Sequence, residues 1–211
     1  RFWRELRWLW GTSWPLYAAT VLGTNVISAI GSMLFVRYLI PMPEVLELGL
    51  GGQLGAIGVI YAVVAVVLGG VVTLYLFRPV LEWQRHPDGH DPNMVRHLVM
   101  RLPAAQTIIV VAVWGIGIAI VTVAAWRVDI QLASVVLATA LLTAFVTAVL
   151  TYLQAERLVR PIAASVLARR FEDSTLQPPI KWQLYLTWFT TSAVPMVGVL
   201  LLTIAQRYDY F

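Results

Sequence analysis

The sequence predicts an all-α fold, a polytopic transmembrane helical bundle, and three observations carry that expectation. Hydrophobic residues make up 59% of the 211 residues and charged residues only 12%, with a mean hydropathy of +0.77. That is the composition of a chain whose solvent is lipid. The apolar residues fall in five runs, each long enough to cross a hydrocarbon layer about 30 Å thick as a helix. Lys and Arg, finally, crowd into some of the connecting stretches and avoid the others.

The runs are expected to span at residues 14–36, 54–77, 104–125, 132–153 and 183–205, five spans arranged as repeated hairpins. Residues 1–13 lead into them. Arg1–Gly11, RFWRELRWLWG, intersperses Arg with Trp and Leu, as an amphipathic segment on an anionic surface would, or a polar flank with Trp anchors. Pro15 falls in the first turn of the first span, where its missing N–H is harmless. Pro41–Gln53 carries two Glu and no basic residue, Val80–Arg101 is hydrophilic, Trp126–Asp129 is a short turn, and Gln154–Lys181 is basic.

Counting Lys and Arg by side gives 12 in the lead-in, Arg78–Arg101 and Arg157–Lys181, against 3 on the other side, Arg37, Arg127 and Arg207. The positive-inside rule therefore places the N-terminus in the cytoplasm of a multi-pass cell-membrane protein. None of the 11 acidic residues falls within an expected span, which argues against a proton relay. The net charge of +4 comes from scattered flanking residues rather than a basic stripe, so no nucleic-acid partner is expected. The chain contains no cysteine, which excludes disulfides and thiol chemistry.

The second and fourth spans return through the same apolar-Arg-Pro-aliphatic junction, Leu76-Phe77-Arg78-Pro79-Val80 and Leu158-Val159-Arg160-Pro161-Ile162. Proline there is expected to end or bend the helix as it leaves lipid, with Arg78 and Arg160 fixing its depth at an anionic surface. The fifth span would open a third such unit, whose sixth helix is expected beyond Phe211.

Small and hydroxylated residues recur every three or four positions, the mark of close helix packing in membranes. They are Thr20, Thr24, Ser28 and Ser32 with Asn25 in the first span, and Gly58, Ala62, Ala65 and Gly69 in the second. The third offers Ala112, Gly115, Ala119 and Thr122, and the fourth Thr139, Thr143, Thr147 and Thr151. Helix-to-helix glue, within one bundle or across a dimer, is the plainer reading, and a polar pathway the alternative. His86 and His90 with Asp88 and Asp91 have metal-ligand residue types, but Pro87 and Gly89 break the helix that would align them, and His97 stands alone. There is no phosphate-binding glycine loop, HExxH motif or nucleophile elbow, so no catalytic, cofactor or metal residue is assigned within these 211 positions. Pro195, with Gly198 one turn on, interrupts the fifth span and is a candidate hinge.

Arg160–Phe171, RPIAASVLARRF, followed by WQLYLTWFTTSAVPMVGV, is similar to the membrane stretch of mycobacterial class III adenylate cyclases with six transmembrane helices and a HAMP linker. The carrying positions are Arg160-Pro161, Arg169-Arg170-Phe171 and Ala193-Val194-Pro195-Met196-Val197-Gly198, helped by the Arg-rich approach and by Ile40-Pro41-Met42-Pro43. The resemblance implies a membrane anchor and regulatory domain, with a sixth helix, a HAMP relay and a cytoplasmic domain beyond it. That domain would convert ATP to 3',5'-cyclic AMP and pyrophosphate with Mg or Mn, at sites formed between two protomers. It further implies a homodimer in the lipid bilayer and a lipid or other apolar ligand. A sensor module of another HAMP-coupled protein such as a histidine kinase, or a transporter or channel subunit, is the competing expectation.

Overall fold

The structure, a computed structural model, describes residues 12–39, 50–86, 92–167 and 180–207. Its helices are α1 (Trp14–Leu39), α2 (Leu50–Arg85), α3 (Pro92–Trp126), α4 (Ile130–Leu167), α5 (Ile180–Trp188) and α6 (Val194–Arg207), with the π turn Phe189–Ala193 joining the last two. Among the described residues there is no strand. Lipid cannot satisfy backbone N–H and C=O groups, so a segment that crosses it bonds its own backbone, as these helices do. Trp14–Phe35, Gly55–Arg85, His97–Trp126 and Ile130–Ile162 are each long and apolar enough to span a membrane, and Leu184–Leu200 is a shorter apolar helical segment. The fold is therefore an all-α membrane bundle of four long helices and one shorter, interrupted one.

Four helices close a ring: α1 packs on α2 and α4, and α3 on α2 and α4, with the α3–α4 pair the most extensive. Register shows α1 and α2 to be antiparallel, since Tyr17 stacks on Phe77, Leu22 lies against Gly69 and Gly70, and Met33 reaches Gly58. A two-residue turn joins α3 to α4 at Arg127 and Val128, where the Asp129 carboxylate accepts the Leu132 N–H at 2.9 Å and caps α4. Beneath the turn Ala125, Leu132, Ala133 and Val136 are buried together.

The larger buried cluster lies at the opposite end, and all four helices build it. Tyr17 and Val21 come from α1, Phe77, Val80, Leu81 and Trp83 from α2, Val95, Val99 and Leu102 from α3, and Ala155, Val159 and Ile162 from α4. Five of these residues, Val80, Leu81, Trp83, Val95 and Val99, belong to the stretch expected from sequence to be a hydrophilic connection. That expectation is corrected for the described residues: the stretch extends α2 and opens α3, and Val80, Leu81, Trp83, Val95 and Val99 face inward while Glu82, Met94, His97 and Met100 remain exposed. Of the two outcomes expected of proline, ending the helix does not occur, because α2 continues through Pro79 and α4 through Pro161. A proline interior to a helix costs about 3 kcal/mol, and burying a few large apolar side chains, each contributing about 1.5–3 kcal/mol, offsets that.

Candidate functional site

Inside the ring, above the apolar end cluster, lies a set of neutral polar groups held between helices. Gln106 of α3, 2% exposed, donates its side-chain amide to the hydroxyl of the fully buried Thr73 of α2 at 3.0 Å. Trp114 of α3 donates its indole N–H across the bundle to Asn25 Oδ1 of α1 at 3.0 Å, while Asn25 Nδ2 is held by the Val21 carbonyl at 2.8 Å. Thr24 of α1 donates to Gln154 Oε1 of α4 at 2.8 Å. Tyr61 of α2 donates its hydroxyl to the Val113 carbonyl of α3, and at the level of the apolar end cluster Gln84 donates to Ser13 at 3.1 Å.

Every helix of the ring thus carries at least one side-chain bond to a neighbour. In a membrane such a bond contributes about 0.6 kcal/mol on average, so the set specifies register more than it supplies stability. The buried polar side chains among the described residues are Thr73, Gln106, Thr147 and Thr151, hydroxyls and an amide. Such groups hold or recognise; they do not exchange protons near neutral pH.

The residues singled out from sequence divide in their roles. Thr24, Asn25, Thr147 and Thr151 belong to the interior, and Gly58 admits the Met33 side chain so closely that a Cβ there would lie 2.7 Å from its Cε. Ala112, Gly115 and Ala119 are corrected as far as this bundle goes: they are exposed, and Gly115 has nothing within 4 Å of where a Cβ would stand. The packing glycine of α3 is Gly117, whose missing side chain makes room for the Tyr61 ring. Gln106, Thr73, Gln154, Trp114 and Gly117 are absent from the sequence-derived set. A lone Gln three residues after Pro103 in an otherwise apolar run was the available signal.

Arg78 and Arg160 both project outward, with side chains 67% and 61% exposed, and each pairs with a glutamate four residues away on its own helix. Arg78 Nε meets Glu82 at 2.7 Å and Arg160 Nη2 meets Glu156 at 3.2 Å. The two junctions flank one shared core, since Phe77 and Val80 beside the first and Val159 and Ile162 beside the second all belong to it. Pro79 and Pro161 lie within their helices.

Pro195 sits in the first turn of α6, and the helical irregularity lies just before it, in Phe189–Ala193. Among the described residues this segment meets α4 where Phe189 is edge-to-face with Phe145 at 5.5 Å between centroids and where Gly198 lies beside Leu142. His86 directly follows the end of α2 at Arg85, whereas Asp88, His90 and Asp91 lie outside the described residues, as do Arg169-Arg170-Phe171. Among the described residues no group of three His, Asp or Glu is placed to hold a metal ion.

These features define a class, an integral-membrane helical bundle with a neutral hydrogen-bonded interior. Comparison of the chain with protein-family profiles, with curated proteins and with solved structures gives no match, and no family is assigned.

Proposed function

We propose that this bundle is the membrane anchor and regulatory domain of an adenylate cyclase whose cytoplasmic part converts ATP to 3',5'-cyclic AMP and pyrophosphate. The observation that carries the reading is the junction repeated at Arg78-Pro79 and Arg160-Pro161, where helices continue past the proline into one four-helix apolar core. Continuous, packed helix ends make this end of the bundle one rigid unit, so a shift in the bundle would be passed on to a helix packed against it rather than absorbed in a loose loop. The resemblance of Arg160–Phe171 and Ala193–Gly198 to six-helix cyclases supplies the identity of that domain.

On this reading the arginine-rich end faces the cytoplasm, in keeping with the 12 to 3 distribution of Lys and Arg. The protein works as a homodimer, and a lipid or other apolar ligand reaches it from the bilayer through the apolar outer faces. Leu16, Ile27, Ile60, Val67 and Leu184 are among the exposed side chains of those faces.

Full-length protein in membranes, supplied with ATP and Mg or Mn, is expected to release cyclic AMP. Autophosphorylation without cyclic AMP would assign the bundle to a histidine kinase instead, and solute flux through liposomes with neither activity would assign it to transport. An Arg160→Cys, introduced among 211 residues that contain no other cysteine, should resist a membrane-impermeant thiol reagent in intact cells. Labelling from outside would overturn the orientation.

A further inference from the structure

The Phe189–Ala193 turn has a backbone arrangement that two registers compete for. In the register observed, the Val194 N–H bonds to the Phe189 carbonyl, five residues back instead of four. The Thr190 carbonyl would accept from Val194 in an α register or from residue 195 in a π register. Val194 is engaged elsewhere and Pro195 has no N–H, so Thr190 C=O has neither donor.

Reverting to α would give Thr190 the Val194 N–H, but it would drive the Pro195 ring toward the carbonyl four residues back, that of Thr191. Each register therefore relieves one defect and creates another. The hydroxyls of Thr190 and Thr191 lean back on the Leu186 and Thr187 carbonyls at 2.7 and 2.8 Å, which occupies them in loosening the turn rather than in repairing it. Contacts on α4 bracket the irregularity, Phe145 against Phe189 on one side and Leu142 beside Gly198 on the other.

We propose that Phe189–Ala193 is a register switch: the turn passes between π and α forms and carries Val194–Arg207 around its axis relative to α4 as it does so. A π turn accommodates one extra residue, and one residue corresponds to about 100° of an α-helix. The α form accordingly presents Val197 to Leu142 where the π form presents Gly198. Movement of the switch is a property of the bundle itself; its use to control cyclase output rests on the function proposed above.

Cross-linking reads the register directly, because the 211 residues contain no cysteine. Leu142→Cys is paired either with Gly198→Cys or with Val197→Cys in membranes and treated with a short thiol-to-thiol reagent. A side chain at position 198 is tolerated, since a Cβ there lies 3.8 Å from the nearest Leu142 atom, an ordinary contact. With Pro195 present the 198 pair should dominate. Pro195→Ala removes the ring whose clash with the Thr191 carbonyl disfavours the α form, and α is otherwise the better-packed helix, so the preference should invert to the 197 pair.

An unchanged preference in Pro195→Ala overturns the switch, as does a dominant 197 pair with Pro195 in place. If Pro195→Ala fails to insert, deletion of Thr190 removes the extra residue and should leave Gly198 facing Leu142. Loss of that pairing on deletion also overturns the proposal. Cyclic AMP formation is scored separately: an inverted cross-link with no change in output leaves the switch standing and removes its regulatory role.

Discussion

Tyr61 of α2 occupies the space that a side chain on Gly117 of α3 would take, and its hydroxyl donates to the Val113 carbonyl one turn away. The glycine and the tyrosine thus form one contact, in which backbone approach and an interhelical hydrogen bond require each other. Gly117→Ala should destabilise the bundle by about 1–3 kcal/mol, the usual range for overpacking. Gly115→Ala, on the open face of the same helix, should be neutral or slightly favourable. Unfolding of both variants in detergent micelles checks the contrast, and equal stability of the two would remove the contact from the account.

Thr73 and Gln106 make an asymmetric pair. Gln106 Oε1 is buried and has no partner, while its amide nitrogen depends on the Thr73 hydroxyl. Thr73→Val strands the Gln106 amide donor as well and should cost about 1–3 kcal/mol, the penalty for an unsatisfied buried polar group. Gln106→Leu removes both the donor and the already unpartnered acceptor and should lie within about 1 kcal/mol of the parent. A double-mutant cycle separates the terms. A larger loss in Gln106→Leu than in Thr73→Val would show that Gln106 bonds something further.

Helix type was legible from the sequence because length and apolar content decide it in lipid, and the hydroxyl ladder Thr139–Thr151 already pointed at an interior that holds Thr147 and Thr151. Helix ends were less legible. Val80, Leu81 and Trp83 sit between Arg78 and Arg85, and hydropathy averaged over such a stretch conceals an apolar face that only tertiary contact with Val95, Val99 and Val159 makes visible. The spacing of small residues in α3 pointed to Ala112, Gly115 and Ala119, yet the partner at Gly117 is a tyrosine 56 positions away in the chain, whose reach no local pattern encodes. Pro195 was visible as a breaker, but the deformation lies upstream because a proline ring conflicts with the carbonyl four residues before it.

Asp129 determines how tightly α3 turns into α4. Its carboxylate accepts the Leu132 N–H at 2.9 Å, and Ala133 N–H bonds the Asp129 carbonyl at 3.1 Å, so one residue closes the first turn of α4 twice. Asp129→Ala should cost about 1 kcal/mol through loss of the side-chain cap, and Asp129→Asn should retain most of it. Thermal unfolding of the two variants measures the difference, and an Asp129→Asn loss as large as that of Asp129→Ala would assign the effect to charge instead of capping.

Phe77 and Arg78 are adjacent but face opposite environments, which separates structure from surface at the repeated junction. Phe77 is fully buried, its ring centroid 4.8 Å from that of Tyr17 and 5.7 Å from that of Trp14. Truncation to alanine should cost about 3–5 kcal/mol, enough to loosen the only large apolar cluster among the described residues to which all four ring helices contribute. Arg78→Gln breaks an exposed pair with Glu82 that contributes about 0.3–0.5 kcal/mol, so unfolding should scarcely move. Leu81→Ala, 5% exposed and one turn along the same face, should cost about 2–5 kcal/mol, well above Arg78→Gln. If Arg78→Gln proves as damaging as Phe77→Ala, the junction is held by its charges, and the apolar core loses the role in transmission given to it above.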